Sequence, residues 1–234
     1  MEKRTLEHRI AAPVIPAAVL FDMDGTLVDT ERLWGAAVEQ VANRIGRPLT
    51  DADTPHVLGR PAAYTAAHLH RTGAPAACDP GALASELDAE FAARVARDLV
   101  PRPGVLRLLD ELATAGVPAA IVSASPRHVV DLVRTALGAD RFTLTFAVED
   151  TLRTKPAPDP YLAAAAALGV DPHACVVVED TPTGVASAEA AGCLVLAVPS
   201  TVPIRPAANR TVLDSLERAD LALLGSLVTS AERN

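Results

Sequence analysis

The fold is decided by residues 17–26, which read AAVLFDMDGT. Five apolar residues end abruptly at Asp22, and Asp24 and Gly25 follow almost at once. A short apolar run of this kind is typical of a β-strand that is buried on both faces, as in a parallel sheet covered by helices. The two aspartates therefore stand at the carboxyl end of a strand, which is where open parallel sheets bind ligands.

The same pattern recurs in the second half of the chain. Three further apolar runs predict strands at residues 117–122, 175–178 and 194–198. The helical segments that alternate with these runs each end at a glycine, which suits the left-handed residue after a helix; they are residues 104–115, 126–137, 158–168 and 184–191. This alternation predicts an α/β fold with a doubly wound, Rossmann-like parallel sheet.

Residues 30–100 interrupt the alternation and carry no strand signal. Apolar residues recur at three- and four-residue steps from Trp34 to Ile45, which predicts an amphipathic helix. Residues 62–71 and 82–99 also have a helical pattern. The sequence therefore predicts an inserted, all-helical cap domain and an α/β core domain built from two segments: residues 30–100 for the cap, and residues 1–29 with 101–234 for the core.

Composition and charge exclude several classes of function. The chain has 21 Lys and Arg against 29 Asp and Glu, a net charge of -8, and only 3% aromatic residues. This balance disfavours nucleic-acid and membrane-surface binding. The apolar run of residues 10–21 contains Pro13 and Pro16, so it does not predict a signal peptide. We expect a cytoplasmic protein, a monomer or weak homodimer, with no nucleic-acid or membrane partner.

The pair Asp22 and Asp24 is the first candidate for chemistry. Two carboxylates at positions i and i+2 can share one site if the chain turns directly afterwards, and Gly25 permits that turn. One carboxylate can attack an electrophile, while the other moves protons or its backbone carbonyl binds a metal. The alternative is a helix cap or an Asx turn, because Asp and Gly are common in turns.

Ser123 and Lys155 are candidates for binding an anion. A hydroxyl at a strand end, beside free N–H groups that open the next helix, makes an anion site. The alternative for this segment is ordinary capping of the helix by Ser125, with Pro126 in the first helical position. Lys155 lies in a proline-rich turn and is one of only two lysines, the other being Lys3. It supplies a compact ammonium charge, unless it is a solvated loop residue.

Glu179 and Asp180 end a run of valines. Adjacent carboxylates are costly to bury without a partner, so we expect a cation nearby. Mg²⁺ prefers oxygen ligands and keeps several waters, which suits a few carboxylates and a phosphate group. The alternative is an Asp that caps the next helix beside a solvated Glu.

Taken in chain order, these motifs resemble the haloacid dehalogenase-like superfamily of phosphotransferases. The resemblance rests on DxDGT at residues 22–26, Ser123, Lys155 and the acidic pair at 179–180, and it covers the whole chain. The helical insert resembles the type-one cap of that superfamily. Within it, the chain resembles the β-phosphoglucomutase-like branch, and residues 30–34 look like those of hexitol or 2-deoxyglucose-6-phosphate phosphatases.

The resemblance implies a role for each core motif. Asp22 is implied to be the nucleophile that forms an aspartyl-phosphate, and Asp24 the acid and then the base. Ser123 and Lys155 are implied to hold the phosphate, with help from backbone N–H groups near three residues: Gly25, Thr26 and Ala124. The implied Mg²⁺ ligands are Asp22, the Asp24 carbonyl and Asp180, with Glu179 holding a metal-bound water.

The resemblance implies a Mg²⁺-dependent phosphatase for a small phosphorylated metabolite, a sugar or polyol phosphate. Arg60, in the implied specificity loop of residues 58–61, is a candidate substrate contact, or else a solvated arginine. Trp34 is a candidate wall of the site, or else a core residue of its helix. Two alternatives stay open: a hexose-phosphate mutase, and a catalytically silent binding protein. Trp34 stands where related mutases carry a histidine, and the cap has no lysine, which favours hydrolysis.

Overall fold

The computed structural model describes residues 14–73 and 78–231. In this part of the chain, six strands form one parallel sheet in the order β3-β2-β1-β4-β5-β6. The strands are β1 (Ala18–Phe21), β2 (Ala119–Val122), β3 (Leu144–Phe146), β4 (Cys175–Glu179), β5 (Leu194–Ala197) and β6 (Arg210–Val212). The strand order reverses between β1 and β4, which confirms the predicted doubly wound α/β fold.

The two strands that the sequence did not predict lie at the edges of the sheet. β3 and β6 are three residues long and only partly buried, whereas every residue of β1, β2, β4 and β5 is buried. Buried central strands read as apolar runs because helices cover both of their faces. An edge strand such as Arg210-Thr211-Val212 has a neighbouring strand on one side only and is partly exposed. It therefore does not show a continuous apolar run.

Helices occupy the rest of the framework. Those in the described residues are α1 (Thr30–Arg44), α2 (Thr54–Val57), α3 (Ala62–Thr72), α4 (Pro80–Asp98), α5 (Val105–Ala115), α6 (Arg127–Leu137), α7 (Asp159–Leu168), α8 (Pro182–Ala190) and α9 (Leu221–Ala231). The sequence predicted all of them except α2 and α9, with ends that differ by a few residues. Within the described residues, none of these helices combines the length and apolar character needed to cross a membrane.

Alternate residues of β1 divide the core into two layers. Val19 and Phe21 belong to a cluster that includes side chains of α5, α6 and α9, while Ala18 and Leu20 pack with side chains of α7 and α8. Because successive side chains of a strand point to opposite faces, a four-residue strand contacts both helical layers. The sheet is therefore covered on both faces, which leaves the carboxyl ends of its strands as the place for a site.

Helices α1–α4, which we call the cap, lie in the sequence between β1 and β2, and no strand occurs in the described part of residues 30–100. Trp34 of α1 and Phe91 of α4 meet edge to face, with ring centroids 5.6 Å apart. Val28 and Pro101 form an antiparallel β-bridge. The connections that enter and leave the cap therefore run side by side.

The exact division into a core of residues 1–29 and 101–234 and a cap of residues 30–100 stays a prediction. Residues 1–13, 74–77 and 232–234 of that division lie outside the described residues.

Candidate active site

Three buried carboxylates meet where β1 and β4 end. Phe21 pairs in register with Val178, so Asp22 emerges beside Glu179 and Asp180. One carboxylate oxygen from each of these acids lies within 4.8 Å of the others. The Oδ2 atom of Asp22 is buried without a hydrogen-bond partner. Oxygen donors packed this closely form a set that suits a hard divalent cation such as Mg²⁺.

Lys155 joins this cluster from the segment before α7. Its Nζ atom lies 2.7 Å from Asp22 Oδ1 and 2.7 Å from Glu179 Oε1, and its side chain is only 6% exposed. Burial lowers the pKa of Lys155, but the carboxylates of Asp22 and Glu179 outweigh this effect and hold the pKa well above its usual value. Lys155 is therefore a charged, buried member of the site, and the solvated-loop alternative is wrong.

The acids outnumber the cations in this cluster. Burial raises the pKa of Asp22 well above its ordinary range, and the charges of Glu179 and Asp180 add to this effect against the opposing charge of Lys155. Burial also raises the pKa of Asp180. One ammonium among three carboxylates leaves negative charge that a divalent cation would neutralise. The donor set and its charge thus fit the metal that the sequence predicts.

Hydroxyl groups orient the carboxylate of Asp180. Thr26 Oγ1 donates to Asp180 Oδ1 at 3.3 Å, and Ser200 Oγ donates to Asp180 Oδ2. Gly25 has a φ of 88°, and a Cβ there would lie 2.1 Å from Asp180 Oδ2, so no other residue fits this turn. The Gly25 N–H donates to the Val28 carbonyl at 2.7 Å. The turn thus uses the Gly25 N–H itself, and the expected phosphate contacts of the backbone N–H groups near Gly25 and Thr26 stay a prediction.

Glu179 accepts hydrogen bonds from several groups of the site. Its Oε1 atom accepts hydrogen bonds from the ammonium described above and from Tyr161 Oη at 2.9 Å. Its Oε2 atom accepts from the backbone N–H groups of Asp180 and Thr181 and from the Thr181 hydroxyl. A Cβ at Gly184 would lie 1.6 Å from Oε1. These five bonds engage both oxygens of Glu179, and its role toward a metal-bound water stays a prediction.

Asp24 lies at the boundary between this cluster and an open cavity. Its Oδ2 atom accepts a hydrogen bond from Ser125 Oγ at 2.5 Å, while its Oδ1 atom is buried without a partner. Burial raises the pKa of Asp24 to about 6; the Ser125 hydroxyl opposes this shift and the charge of Glu31 adds to it. A carboxyl group with this pKa can give and take protons near neutral pH.

The segment after β2 differs from its predicted capping role. α6 begins at Arg127, Pro126 is its N-cap, and no side chain caps it. Ser125 instead donates its hydroxyl to Asp24, so the alternative that Ser125 caps the helix is wrong. Ser123 is buried, and its Oγ atom accepts from the Ser125 N–H at 3.0 Å. The sequence shows two serines before a proline, but it does not reveal that the Ser125 hydroxyl donates to Asp24.

A cavity of about 440 Å³ separates the core from the cap, next to Asp24 and Ala124. Trp34 and Arg60 line it from the cap side. Trp34 is 8% exposed and donates its Nε1–H to the Val57 carbonyl at 2.8 Å, so it is both a core residue and a wall. Gly25 and Thr26 do not line this cavity; they lie behind Asp180, beside a smaller one.

Residues 16–192 match the family model described as haloacid dehalogenase-like hydrolase. The chain belongs to the haloacid dehalogenase-like hydrolase family. The matched segment contains both aspartates, the serines, the lysine and the acidic pair described above. The predicted family is thereby confirmed.

Relatives with named activities cover most of this haloacid dehalogenase-like chain. It is 32% identical over 200 residues to validoxylamine A 7'-phosphate phosphatase of Streptomyces hygroscopicus subsp. limoneus, covering 83% of this chain and 91% of that protein. It is 34% identical over 213 residues to hexitol phosphatase A of Escherichia coli (strain K12), covering 85% and 91%. The protein is a phosphoric monoester hydrolase.

Solved structures of haloacid dehalogenase-like proteins share the whole architecture. A haloacid dehalogenase family hydrolase of Deinococcus radiodurans R1, crystallised with phosphate and sodium, is 30% identical, with a TM-score of 0.66 over 93% of this chain and 99% of that one. CbbY of Rhodobacter sphaeroides, crystallised with phosphate, is 26% identical, with a TM-score of 0.70 over 87% and 96%. Both similarities include the cap as well as the sheet.

Proposed function

We propose that this enzyme hydrolyses small sugar or polyol phosphate monoesters with the help of Mg²⁺, through an aspartyl-phosphate on Asp22. The observation that carries the proposal is the meeting of one buried ammonium with Asp22, beside two further acids and a cavity that begins at Asp24. The names of the two phosphatase relatives support the substrate class.

The residues that would hold Mg²⁺ are Asp22, Asp180 and the backbone carbonyl of Asp24. Support comes from the buried, unpartnered Oδ2 atom of Asp22 and from the hydroxyl groups that orient Asp180. When bound there, Mg²⁺ neutralises charge on the phosphoryl group and on the attacking carboxylate.

In the first half of the proposed reaction, a carboxylate oxygen of Asp22 attacks the phosphorus atom, and the bond from phosphorus to the alcohol oxygen breaks. Asp24 donates its proton to that oxygen, so the alcohol leaves neutral. Lys155 and Ser123 hold the phosphoryl oxygens in line, and the Lys155 ammonium offsets their charge. The pKa of about 6 at Asp24 keeps a share of the protonated acid present near neutral pH.

In the second half, water attacks the phosphorus atom of the aspartyl-phosphate, and Asp24, now a carboxylate, accepts a proton from this water. The bond from phosphorus to the Asp22 oxygen breaks, which releases inorganic phosphate and restores Asp22. Ser125 keeps the Asp24 carboxylate beside the cavity through both halves. One carboxyl group thus serves as acid and then as base.

The test is phosphate release from a panel of monoesters by metal-stripped enzyme, with and without added Mg²⁺. We expect turnover only with the metal, and acid-quenched enzyme that carries one hydroxylamine-sensitive phosphoryl group on residue 22. Undiminished turnover in a chelator, or phosphate labelling elsewhere, would overturn the mechanism.

The same panel separates the proposal from its alternatives. β-Glucose 1-phosphate should yield free phosphate, whereas glucose 6-phosphate as the product would identify a mutase. The absence of turnover on every monoester would favour a silent binding protein. A cytoplasmic location and a monomer or weak homodimer stay predictions.

A further inference from the structure

The cavity wall beyond Asp24 carries two carboxylates, one guanidinium and one imidazole. Glu31 at the start of α1 and Asp88 of α4 contribute carboxylates, while Arg60 and His128 contribute the basic groups. The other lining groups are neutral; they include the rings of Trp34 and Phe91. This part of the cavity faces the organic portion of any ester whose phosphate lies near Asp22.

Glu31 is an exposed residue at the start of α1, and it supplies negative charge to the cavity that Asp24 also lines. Its Oε2 atom accepts a hydrogen bond from the Gly59 N–H at 3.1 Å. Glu31 and Asp24 line the same cavity, and Glu31 follows Asp24 by only seven residues. An anionic substituent beside the ester oxygen would therefore meet a carboxylate.

Asp88 supplies negative charge at the rim. Its Oδ1 atom lies 3.8 Å from His128 Nε2, across the gap between the cap and the core, and the two side chains are 48% and 56% exposed. An anionic substituent far from the ester oxygen would meet this second carboxylate on entering the cavity.

The basic groups of the wall already have partners. Arg60 donates its Nε–H to the Pro55 carbonyl at 3.2 Å, and its guanidinium lies 5.1 Å from the centroid of the Tyr64 ring. His128 faces Asp88. No lysine occurs in residues 30–100. A second phosphate or a carboxylate would thus meet cationic groups that already contact protein partners, whereas a hydroxyl or an amine could hydrogen-bond to the two carboxylates.

We propose that this enzyme selects its substrates by the charge of the alcohol portion, and that Glu31 and Asp88 make the selection. It accepts monophosphates of neutral or amine-bearing polyols and rejects esters that carry a carboxylate or a second phosphate. This inference rests on the phosphatase function proposed above and narrows its substrate class. Like charges brought together in a partly closed cavity repel each other, and such repulsion sets specificity more than it sets affinity.

The experiment compares three esters that carry the phosphate at carbon 6 of related six-carbon skeletons: glucosamine 6-phosphate, glucose 6-phosphate and 6-phosphogluconate. We expect kcat/KM for the first two to be about tenfold or more above that for 6-phosphogluconate. A shorter pair, glycerol 1-phosphate and 3-phosphoglycerate, tests charge close to the ester oxygen in the same way. Because the carboxylates are partly exposed, added salt should reduce these ratios.

Variants assign the selection to residues. Glu31→Gln should reduce the ratio most in the short pair, and Asp88→Asn most in the hexose series, each by about threefold or more. The matched controls are Glu39→Gln on α1 and Glu86→Gln on α4. Glu39 is exposed, and Glu86 forms an ion pair with Arg44; both lie outside the cavity lining. The controls should leave the ratios unchanged.

Each outcome decides one question. Phosphate release from all three hexose esters at similar kcat/KM, or a preference for 6-phosphogluconate, would overturn the charge selection while leaving the phosphatase function intact. Ratios that the Glu31 and Asp88 variants do not change would overturn the assignment to these residues. No release from any ester, including p-nitrophenyl phosphate, would instead overturn the phosphatase function itself.

Discussion

The two sides of the active site are built differently. On the core side, Lys155 is 6% exposed and Glu179 is fully buried, and hydrogen bonds join both of them to neighbouring residues. On the cap side, Glu31, Arg60 and Asp88 line an open cavity and each has one or two weak partners.

The difference follows from the cost of burying charge. An ionised group out of water must have its partners in place, so a change at one member leaves the others uncompensated. A partly exposed charge is solvated in any case, and its replacement costs little stability. The core side is therefore suited to one fixed reaction, and the cap side to recognition that differs from one enzyme to another.

Among changes that test the difference between the core side and the cap side, we expect the largest effect from Asp22→Asn. We expect kcat to fall at least about 10³-fold because the amide is a poor nucleophile. The free energy of unfolding should change by about 1 kcal/mol, since the lost ion pair with Lys155 is offset by relief of carboxylate crowding. Phosphate-release kinetics and urea denaturation measure both quantities. Retention of a few per cent of activity would contradict the nucleophile assignment.

A pair of glycine substitutions compares the two sides directly. Gly184→Ala should cost about 3 kcal/mol of stability and most of the activity, because its methyl group would occupy the position of the Glu179 carboxylate. Gly35→Ala, in α1 of the cap, is the matched control. Its nearest neighbour would be Leu58 Cδ2 at 3.9 Å, so we expect a gain of about 0.5 kcal/mol from helix propensity. Urea denaturation should separate them; equal effects would refute the contrast.

Ser125→Ala tests the boundary between the two sides. The Ser125 hydroxyl donates to the ionised form of Asp24, so its removal favours the protonated form and raises the Asp24 pKa above its value of about 6. The acid limb of the kcat profile, where Asp24 must lose its proton to act as base, should move up by about 0.5 pH unit. Ser85→Ala on α4, which removes an exposed hydroxyl, should leave the profile in place. A shift to lower pH would contradict the proposed role.

Arg60→Met should have the smallest effect. The guanidinium lines the cavity but is partly exposed, so we expect KM for glucose 6-phosphate to rise about threefold with little change in kcat. Arg44→Met, which removes an exposed partner of Glu86, is the control. A large loss of kcat would mean that the cap side takes part in the chemistry and that the contrast is wrong.

Much of the core side was predictable from the sequence because burial leaves a clear pattern. The apolar runs before Asp22 and Glu179 marked two strand ends, and a parallel sheet places strand ends at one edge. The isolated Lys155 in an arginine-rich chain marked the third component. The roles of Tyr161 and Ser200 were not found, because a lone hydroxyl side chain has no sequence pattern that names its partner.

Other features depend on tertiary contacts that no local pattern records. β6 was missed because three residues at a sheet edge are too few to show a period. α9 is the exception, because its sequence, LALLGSLVTSA, is itself a local apolar signal. Glu31 and Asp88 were missed because helical surfaces commonly carry acids, and only the fold shows which ones face the cavity.

The pairing of β1 with β4 has a consequence for the enzyme during its synthesis on the ribosome. Lys155 joins Asp22 across 133 positions of the chain, and Thr26 joins Asp180 across 154. A nascent polypeptide whose synthesis has stopped before the end of β4 contains Asp22, Asp24 and Lys155 but lacks Glu179 and Asp180. We therefore expect phosphate release only from chains that extend through Asp180, so the activity reports on molecules that contain both strand ends and not on shorter N-terminal fragments.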